Sequence, residues 1–335
     1  MPTVTPGDKI LVSGANGYIA IWVVRRFLEK GYAVRGTVWS ADKGKYLEEY
    51  FKSYSDKFEI VVVQDITKEG AFDEMLLHTQ RLRSTWMLQL YKPAVNGTVS
   101  ILKSAQKNGS NVKRVVMTSS AASVLEIGVD KIFTEANWNE LAVREVKEQG
   151  DAAPGMTKYR ASKTLAEKSA WEFYNANKAN LEWDLSILNP PFVFGPAIHE
   201  LESPDALNTS LRQWYDAVLG NNQNETFLKV QGSAYIDVRD VAEAHTLALE
   251  KEAAGGERII ISVGSYVWQD WPRSLSPSPI PSHPNLPVGY PGAGATAKPP
   301  VRYDTSKAQR ILGLKYRTKV EVTRDTLADF ERRGW

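Results

Sequence analysis

An α/β fold, a doubly wound parallel sheet followed by a smaller mixed α/β cap, is what this sequence predicts, and three observations carry it. Apolar strand-like runs alternate with helix-patterned runs through the first half, the order that gives a parallel sheet covered on both faces. A glycine-bearing turn, Gly14-Ala-Asn-Gly17, falls at the first strand–helix junction. After Asn189 the texture changes: proline and glycine enter in NPPFVFGP, and nine of the 17 prolines lie between Pro272 and Pro300. A segment so rich in proline makes neither a helix nor a central strand; it reads as an ordered loop, for which Ile280, Leu286, Val288 and Tyr290 speak, with a disordered linker as the alternative.

The elements follow in order. Lys9 to Ser13 (KILVS) reads as a buried strand, and Tyr18 to Lys30 as a helix stopped at Gly31. Ala33 to Val38 is a second strand, Lys43 to Phe51 a helix and Phe58 to Val63 a third strand. Ala94 to Asn108 has helical periodicity, and Arg114 to Thr118 (RVVMT) reads as another buried strand. A long helix is expected from about Thr157 to Ala176, with a strand at Leu185 to Leu188.

Composition narrows the function classes. Net charge is only +2, with acids and bases interleaved, so neither nucleic acid nor a membrane surface is an expected partner. The absence of cysteine excludes disulfides, thiolate catalysis and cysteine-ligated metal. His78, His199, His245 and His283 have no metal-ligand spacing, and no metal is expected. The opening MPTVTPGDKI lacks the apolar run of a secretion signal, and no stretch reaches the ~20 apolar residues of a membrane helix. A cytoplasmic monomer or homodimer is the expectation, and the Asn-x-Ser/Thr triplets at Asn96, Asn108, Asn208 and Asn224 read as incidental.

The glycine turn has the chemistry of a phosphate cradle. Gly14 takes the tight turn, Gly17 lets a pyrophosphate approach the backbone, and Ala20 permits close helix packing. Amides of the helix start (Asn16, Gly17, Tyr18, Ile19) then point toward the phosphates. Asp65 and Ile66, after the third strand, sit where an adenine ring would lie, although Asp65 serves equally as a turn or cap residue. The second strand ends GTVWS-ADKGK, with no acid before Asp42 and with Lys43 and Lys45 close by, which favours a 2′-phosphate. NADP(H) is therefore the preferred cofactor, with NAD(H) the second choice. On this basis residues 1–189, completed by about 235–262, form the dinucleotide-binding domain. Residues 190–234 and 263–335 form the substrate-binding cap.

Tyr159-Arg-Ala-Ser-Lys163 puts tyrosine and lysine on one helix face. A nearby ammonium stabilises a phenolate, so the hydroxyl can give and retake a proton near neutral pH. Lys163 also suits the ribose hydroxyls. Ser120, at the end of the RVVMT strand, faces the crevice where open α/β sheets bind ligands, with Ser119 as its competitor.

Taken together, these motifs resemble the extended short-chain dehydrogenase/reductases. The closest branch holds dihydroflavonol reductase, cinnamoyl-CoA reductase and the fungal aldehyde and ketone reductases. The pieces are VSGANGYIA, DITKEGAFDE, KPAVNGT, RVVMTSSAASV, the YRASK box, LNPPFVFGP, YIDVRDVAEAH and YDTSKAQRILGLKYR. They cover nearly the whole chain except residues 75–91. The resemblance implies a Rossmann-type nucleotide half, a Ser120–Tyr159–Lys163 triad and a nicotinamide lined by Pro190, Pro191 and Val193. It implies NADPH-dependent reduction of an aldehyde or ketone, with a small-molecule carbonyl as substrate. Asp237 and Arg239 look structural, and the Pro272–Pro300 loop falls on the substrate side. Dihydroflavonol or cinnamoyl-CoA reduction is one alternative; an inert NAD(P)-binding protein is another.

Two departures stand out. Trp39 occupies the place where this branch carries an arginine on the 2′-phosphate, which leaves Lys43 to hold that group; stacking of Trp39 on adenine ranks no higher than a tolerated exposed tryptophan. After AFDE the branch has a fourth strand ending in a His-Thr-Ala-Ser-Pro-Phe-His pattern, whereas this chain reads MLLHTQRLRSTWMLQLYKP without a β-branched run. A set of codons encoding His78 to Met87 (CAC ACA CAG CGT CTC CGT TCC ACG TGG ATG) spells His-Thr-Ala-Ser-Pro-Phe-His-Val-Asp when read from its third base. The hypothesis that this stretch is translated out of frame falls if the transcript's codons do not permit that second reading. Translated as written, a missing central strand is expected to lower stability and distort the cofactor floor.

Overall fold

Alternating strands and amphipathic helices build the first half, as their periodicity dictates. The computed structural model describes residues 4–68, 70–73, 91–108, 112–220, 224–273, 290 and 298–335. Strand β1 (Lys9–Val12) leads into helix α1 (Tyr18–Glu29), which buries Ile21, Val24, Phe27 and Leu28 at helical spacing. Gly31 then takes φ +88° and turns the chain into β2 (Ala33–Val38). Helix α2 (Ala41–Tyr50), β3 (Phe58–Val62) and α3 (Tyr91–Asn108) follow. Next come β4 (Arg114–Thr118), the short β5 (Ile132–Phe133), α4 (Glu140–Gln149) and the 23-residue α5 (Gly155–Asn177).

Beyond β6 (Asp184–Asn189) lie β7 (Phe192–Phe194), α6 (Thr209–Val218), α7 (Glu225–Val230) and β8 (Gly232–Asp237). Then follow α8 (Val238–Glu250), β9 (Arg258–Ile260), β10 (Gly264–Val267) and α9 (Asp270–Arg273). The chain closes with β11 (Arg302–Tyr303), α10 (Ser306–Leu312) and α11 (Lys319–Arg332).

The fold is a doubly wound α/β one, but its parallel strands form two groups among the described residues. One has the order β1-β2-β3, in register from Lys9 opposite Ala33 to Val38 opposite Val62. The other is β4-β6-β9, with Arg114 opposite Asp184. Among the described residues, β1 and β4 each stand at the end of their group and are paired on one side. Helices α3 and α5 pack on each other, as do α1 and α8. Strands β7, β8 and β10 form a separate mixed sheet, and β5 pairs with β11.

Trp214 and Tyr235 are buried in one cluster with Phe194, Tyr266 and Trp271, and Phe192 packs against it. Asp237, fully buried, takes Arg239 in a two-point ion pair, and Arg239 reaches on to Asp325 of α11. That arrangement is structural, as its sequence setting suggested. Almost all of the Pro272–Pro300 loop and of the stretch 75–91 lies outside the described residues. Among the described residues no helix is long and apolar enough to cross a membrane.

Candidate active site

The turn after β1 is set by its backbone. Gly14 adopts φ +63°, a left-handed conformation that favours glycine, and its amide donates to Thr37 Oγ1 at 3.1 Å. The Gly17 amide closes the turn onto the Gly14 carbonyl at 2.9 Å, and Gly17 then caps α1 with extended backbone. The amides that open α1 have no acceptor within the helix, so they and the helix dipole offer an anion site. A dinucleotide pyrophosphate fits that donor set.

The other side is built by β4 and α5. The amide of Ser119 donates to the Leu188 carbonyl at 2.8 Å and that of Ala121 to the Pro190 carbonyl at 2.9 Å, so the ends of β4 and β6 are held together. Ser120 caps the short turn Ala121–Ser123, its Oγ accepting from the Ala122 amide at 3.1 Å. Its hydroxyl proton is not used by that contact. Ser119 differs: its hydroxyl donates to the buried Glu167 carboxylate at 2.5 Å. One helical turn apart on α5, Tyr159 and Lys163 present the same face, with Lys163 Nζ 5.9 Å from the Tyr159 ring centroid. Tyr159 is 39% exposed, and neither its hydroxyl nor the Lys163 ammonium bonds to any described residue.

A cavity of about 1330 Å³ joins these pieces. Its walls include Gly17, Tyr18, Ile19, Ile66, Ser119, Ser120, Tyr159, Lys163, Pro190, Pro191 and Val193. Ligand pockets usually run from about 300 to 1,000 Å³. Residues from Lys9 to Ser13 and from Lys113 to Thr118 also line this larger one.

Other candidates stand apart from these walls. Gly14 and Asn16 lie in the turn behind them. Asp65 accepts from the Thr67 amide at 2.9 Å and the Thr67 hydroxyl at 2.7 Å, which is the turn role weighed for it from sequence. Trp39 is 38% exposed at the end of β2. Lys43, expected to hold the 2′-phosphate, instead pairs with Glu200 at 2.7 Å, because an exposed carboxylate lies within its reach. Such exposed pairs contribute about 0–1 kcal/mol, so a phosphate can displace this one. Tyr18 contributes through its main chain alone, its buried hydroxyl donating to the Gly195 carbonyl at 2.9 Å.

Sequence reasoning missed several walls. Asn208 and Ser210, at the start of α6, reach the cavity, with Asn208 Oδ1 capping the helix at the Leu211 amide. His245 lies there too: Thr118 Oγ1 is 2.7 Å from its Nε2, and Nδ1 is 2.8 Å from the Val241 carbonyl. The carbonyl fixes the proton on Nδ1, so Nε2 accepts from Thr118, and burial lowers the pKa of this imidazole. The capping asparagine is a local signal that the sequence offers; the histidine contact, spanning 127 residues, is not.

Comparison with known proteins agrees with the resemblance carried by the motifs. The model of the NAD dependent epimerase/dehydratase family matches residues 10–264. The NADPH-dependent methylglyoxal reductase GRE2 of Saccharomyces cerevisiae is 34% identical over 95% of this chain and 96% of its own. Aldehyde reductase 2 of Sporidiobolus salmonicolor is 29% identical over 91% of this chain and 90% of its own. The crystal structure of Gre2 from Candida albicans in complex with NADPH superposes with a TM-score of 0.84 at 31% identity, covering 98% of this chain and 99% of that one.

Proposed function

The chain belongs to the NAD dependent epimerase/dehydratase family, and on that footing we propose that it is an NADPH-dependent reductase of small aldehydes or ketones. The observation that carries this reading is one cavity on whose wall Ser120, Tyr159 and Lys163 converge, opposite the phosphate-type turn and beside Pro190 and Val193. The 1–189 and 235–262 segments then act as the nucleotide half, and 190–234 with 263–335 as the cap. Relatives named for NADPH-dependent methylglyoxal and aldehyde reduction support both the cofactor and the substrate class.

NADPH, when bound, supplies the hydride that adds to the substrate's carbonyl carbon. The residues of the chain do the rest. The amides opening α1 take the pyrophosphate, and Lys163 holds the nicotinamide ribose while its charge stabilises the phenolate form of Tyr159. Tyr159 donates its phenolic proton to the carbonyl oxygen as charge develops there. Ser120, with a hydroxyl proton to spare, donates a hydrogen bond to the same oxygen and fixes its position. Pro190 and Val193 offer an apolar wall that keeps water from the nicotinamide face.

Fluorescence titration of the purified chain with NADPH and NADH, followed by a methylglyoxal and aldehyde reduction assay, tests the reading. Tighter binding of NADPH with turnover supports it. A folded chain that binds neither cofactor refutes it and leaves the inert alternative.

A further inference from the structure

The proposed triad does not explain the most heavily bonded carboxylate among the described residues. Glu167 lies one turn beyond Lys163 and two beyond Tyr159 on α5, and it is fully buried. Its Oε2 accepts from Ser119 Oγ at 2.5 Å, Ser123 Oγ at 2.5 Å and Asn189 Nδ2 at 2.7 Å. Its Oε1 accepts from Arg258 Nε. Arg258 is held in turn by the carbonyls of Glu135 and Asn137, at 2.7 and 2.5 Å, and its guanidinium lies 3.7 Å from the Trp138 ring centroid.

Three of these groups sit around Ser120. Ser119 and Ser123 flank it along the chain. Asn189 Nδ2 is 3.2 Å from the Ser120 carbonyl and 3.1 Å from Ser123 Oγ, and Ser123 Oγ is 2.7 Å from that same carbonyl. A buried carboxylate is tolerated only when it is paired and hydrogen-bonded, and satisfied networks of this kind fix a single geometry. Here the geometry joins the turn carrying Ser120 and the end of β6 to the helix carrying Tyr159 and Lys163.

We propose that Glu167 is the positioning residue that sets the Ser120 hydroxyl against Tyr159 and Lys163. It never touches substrate; it acts through Ser119, Ser123 and Asn189 on the backbone of Ser120. The inference rests on the reductase reading, since it assigns Glu167 a purpose only if Ser120 and Tyr159 act on one carbonyl oxygen.

A double-mutant cycle tests it. Glu167→Gln keeps the side-chain length, but either orientation of the amide turns its NH2 against a donor, Arg258 Nε on one side or Asn189 Nδ2 on the other. The network therefore shifts, and kcat is expected to fall at least about ten-fold, the scale of a small misplacement of a reacting group. Its Kd for NADPH should stay within about two-fold, because the phosphate turn is untouched. In a Ser120→Ala background, the same change should lower kcat by less than about two-fold, since the group being positioned is already gone. Equal losses in both backgrounds, or an unchanged kcat in folded Glu167→Gln, overturn the proposal.

If Glu167→Gln does not fold, Ser119→Ala, which leaves the Arg258 pair intact, takes its place in the cycle with the same expectations. Amide hydrogen exchange of the cofactor-free chain gives a readout independent of turnover. The amides of 119–124 should exchange about ten-fold faster in the variant, with those of β8 and β10 unchanged. A uniform acceleration across both regions marks a merely structural role and sinks the idea. If the parent chain shows no turnover, the reductase reading itself fails; if the parent turns over and the cycle is additive, only the role of Glu167 fails.

Discussion

Around Trp271 gather Tyr235, Phe194, Tyr266 and Trp214, with ring centroids 4.9, 5.1, 5.5 and 6.1 Å away. By contrast, β1 and β4 present their edges to the 1330 Å³ cavity, each paired on its other side only among the described residues. The first region spends its side chains on packing, and its tilted and edge-to-face ring pairs add to the burial they bring. The second lines the cavity with backbone and apolar side chains beside the turn, the serines and Tyr159. Stability and candidate chemistry are therefore housed in different parts of one chain, and substitutions should separate them.

The largest stability effect is expected in the first region. Trp271→Ala should cost about 3–5 kcal/mol in denaturant unfolding. Val116→Ala, on β4, should cost about 1 kcal/mol, because that side chain is only partly buried. Equal costs would erase the contrast.

Acid sensitivity comes next. His199 is buried against Tyr18, with ring centroids 5.4 Å apart, and burial followed by the charge of Arg333 lowers its pKa to about 4. The unfolded imidazole titrates near 6.5, so between pH 6.5 and 4 the unfolded state holds the extra proton. Stability present above pH 6.5 is thus lost as pH falls toward 4, by about 3 kcal/mol in all. Thermal melts of His199→Leu should show a flatter acid limb than the parent. An unaltered limb would place the acid sensitivity elsewhere.

Smaller effects belong to the cofactor end. Trp39→Arg supplies a planar cation able to grip a phosphate at two points, and should tighten NADPH about ten-fold while leaving NADH nearly unchanged. Lys43→Ala should weaken NADPH only about two- to five-fold, since the exposed lysine must first leave Glu200. Parallel changes for both cofactors would show that neither position reads the 2′-phosphate.

Much of the first half was legible because each element is a local pattern. Ala33–Val38 and Arg114–Thr118 fall on the residues their apolar runs indicate, and Gly31 ends α1 where a left-handed residue was expected. Helix α4 escaped notice: it buries only Ala142, and its signal is the Asn139 cap on the Ala142 amide rather than an apolar stripe. The walls of the candidate site were legible as motifs, but the order of its serines was not. Only the contact with Glu167 shows that Ser119 is committed while Ser120 keeps its proton. The Glu167–Arg258 pair spans 91 residues, and no local pattern announces it. The Lys43–Glu200 pair was equally out of sight, its two members lying 157 residues apart.

The most direct test of the central claim is a steady-state aldehyde-reduction assay of Tyr159→Phe alongside NADPH titration of the same variant. The reading predicts that turnover falls by about 10²–10⁴-fold while the Kd for NADPH stays within about two-fold, because only the proton donor is removed. Turnover close to that of the parent, in a variant that binds NADPH equally well, would contradict it.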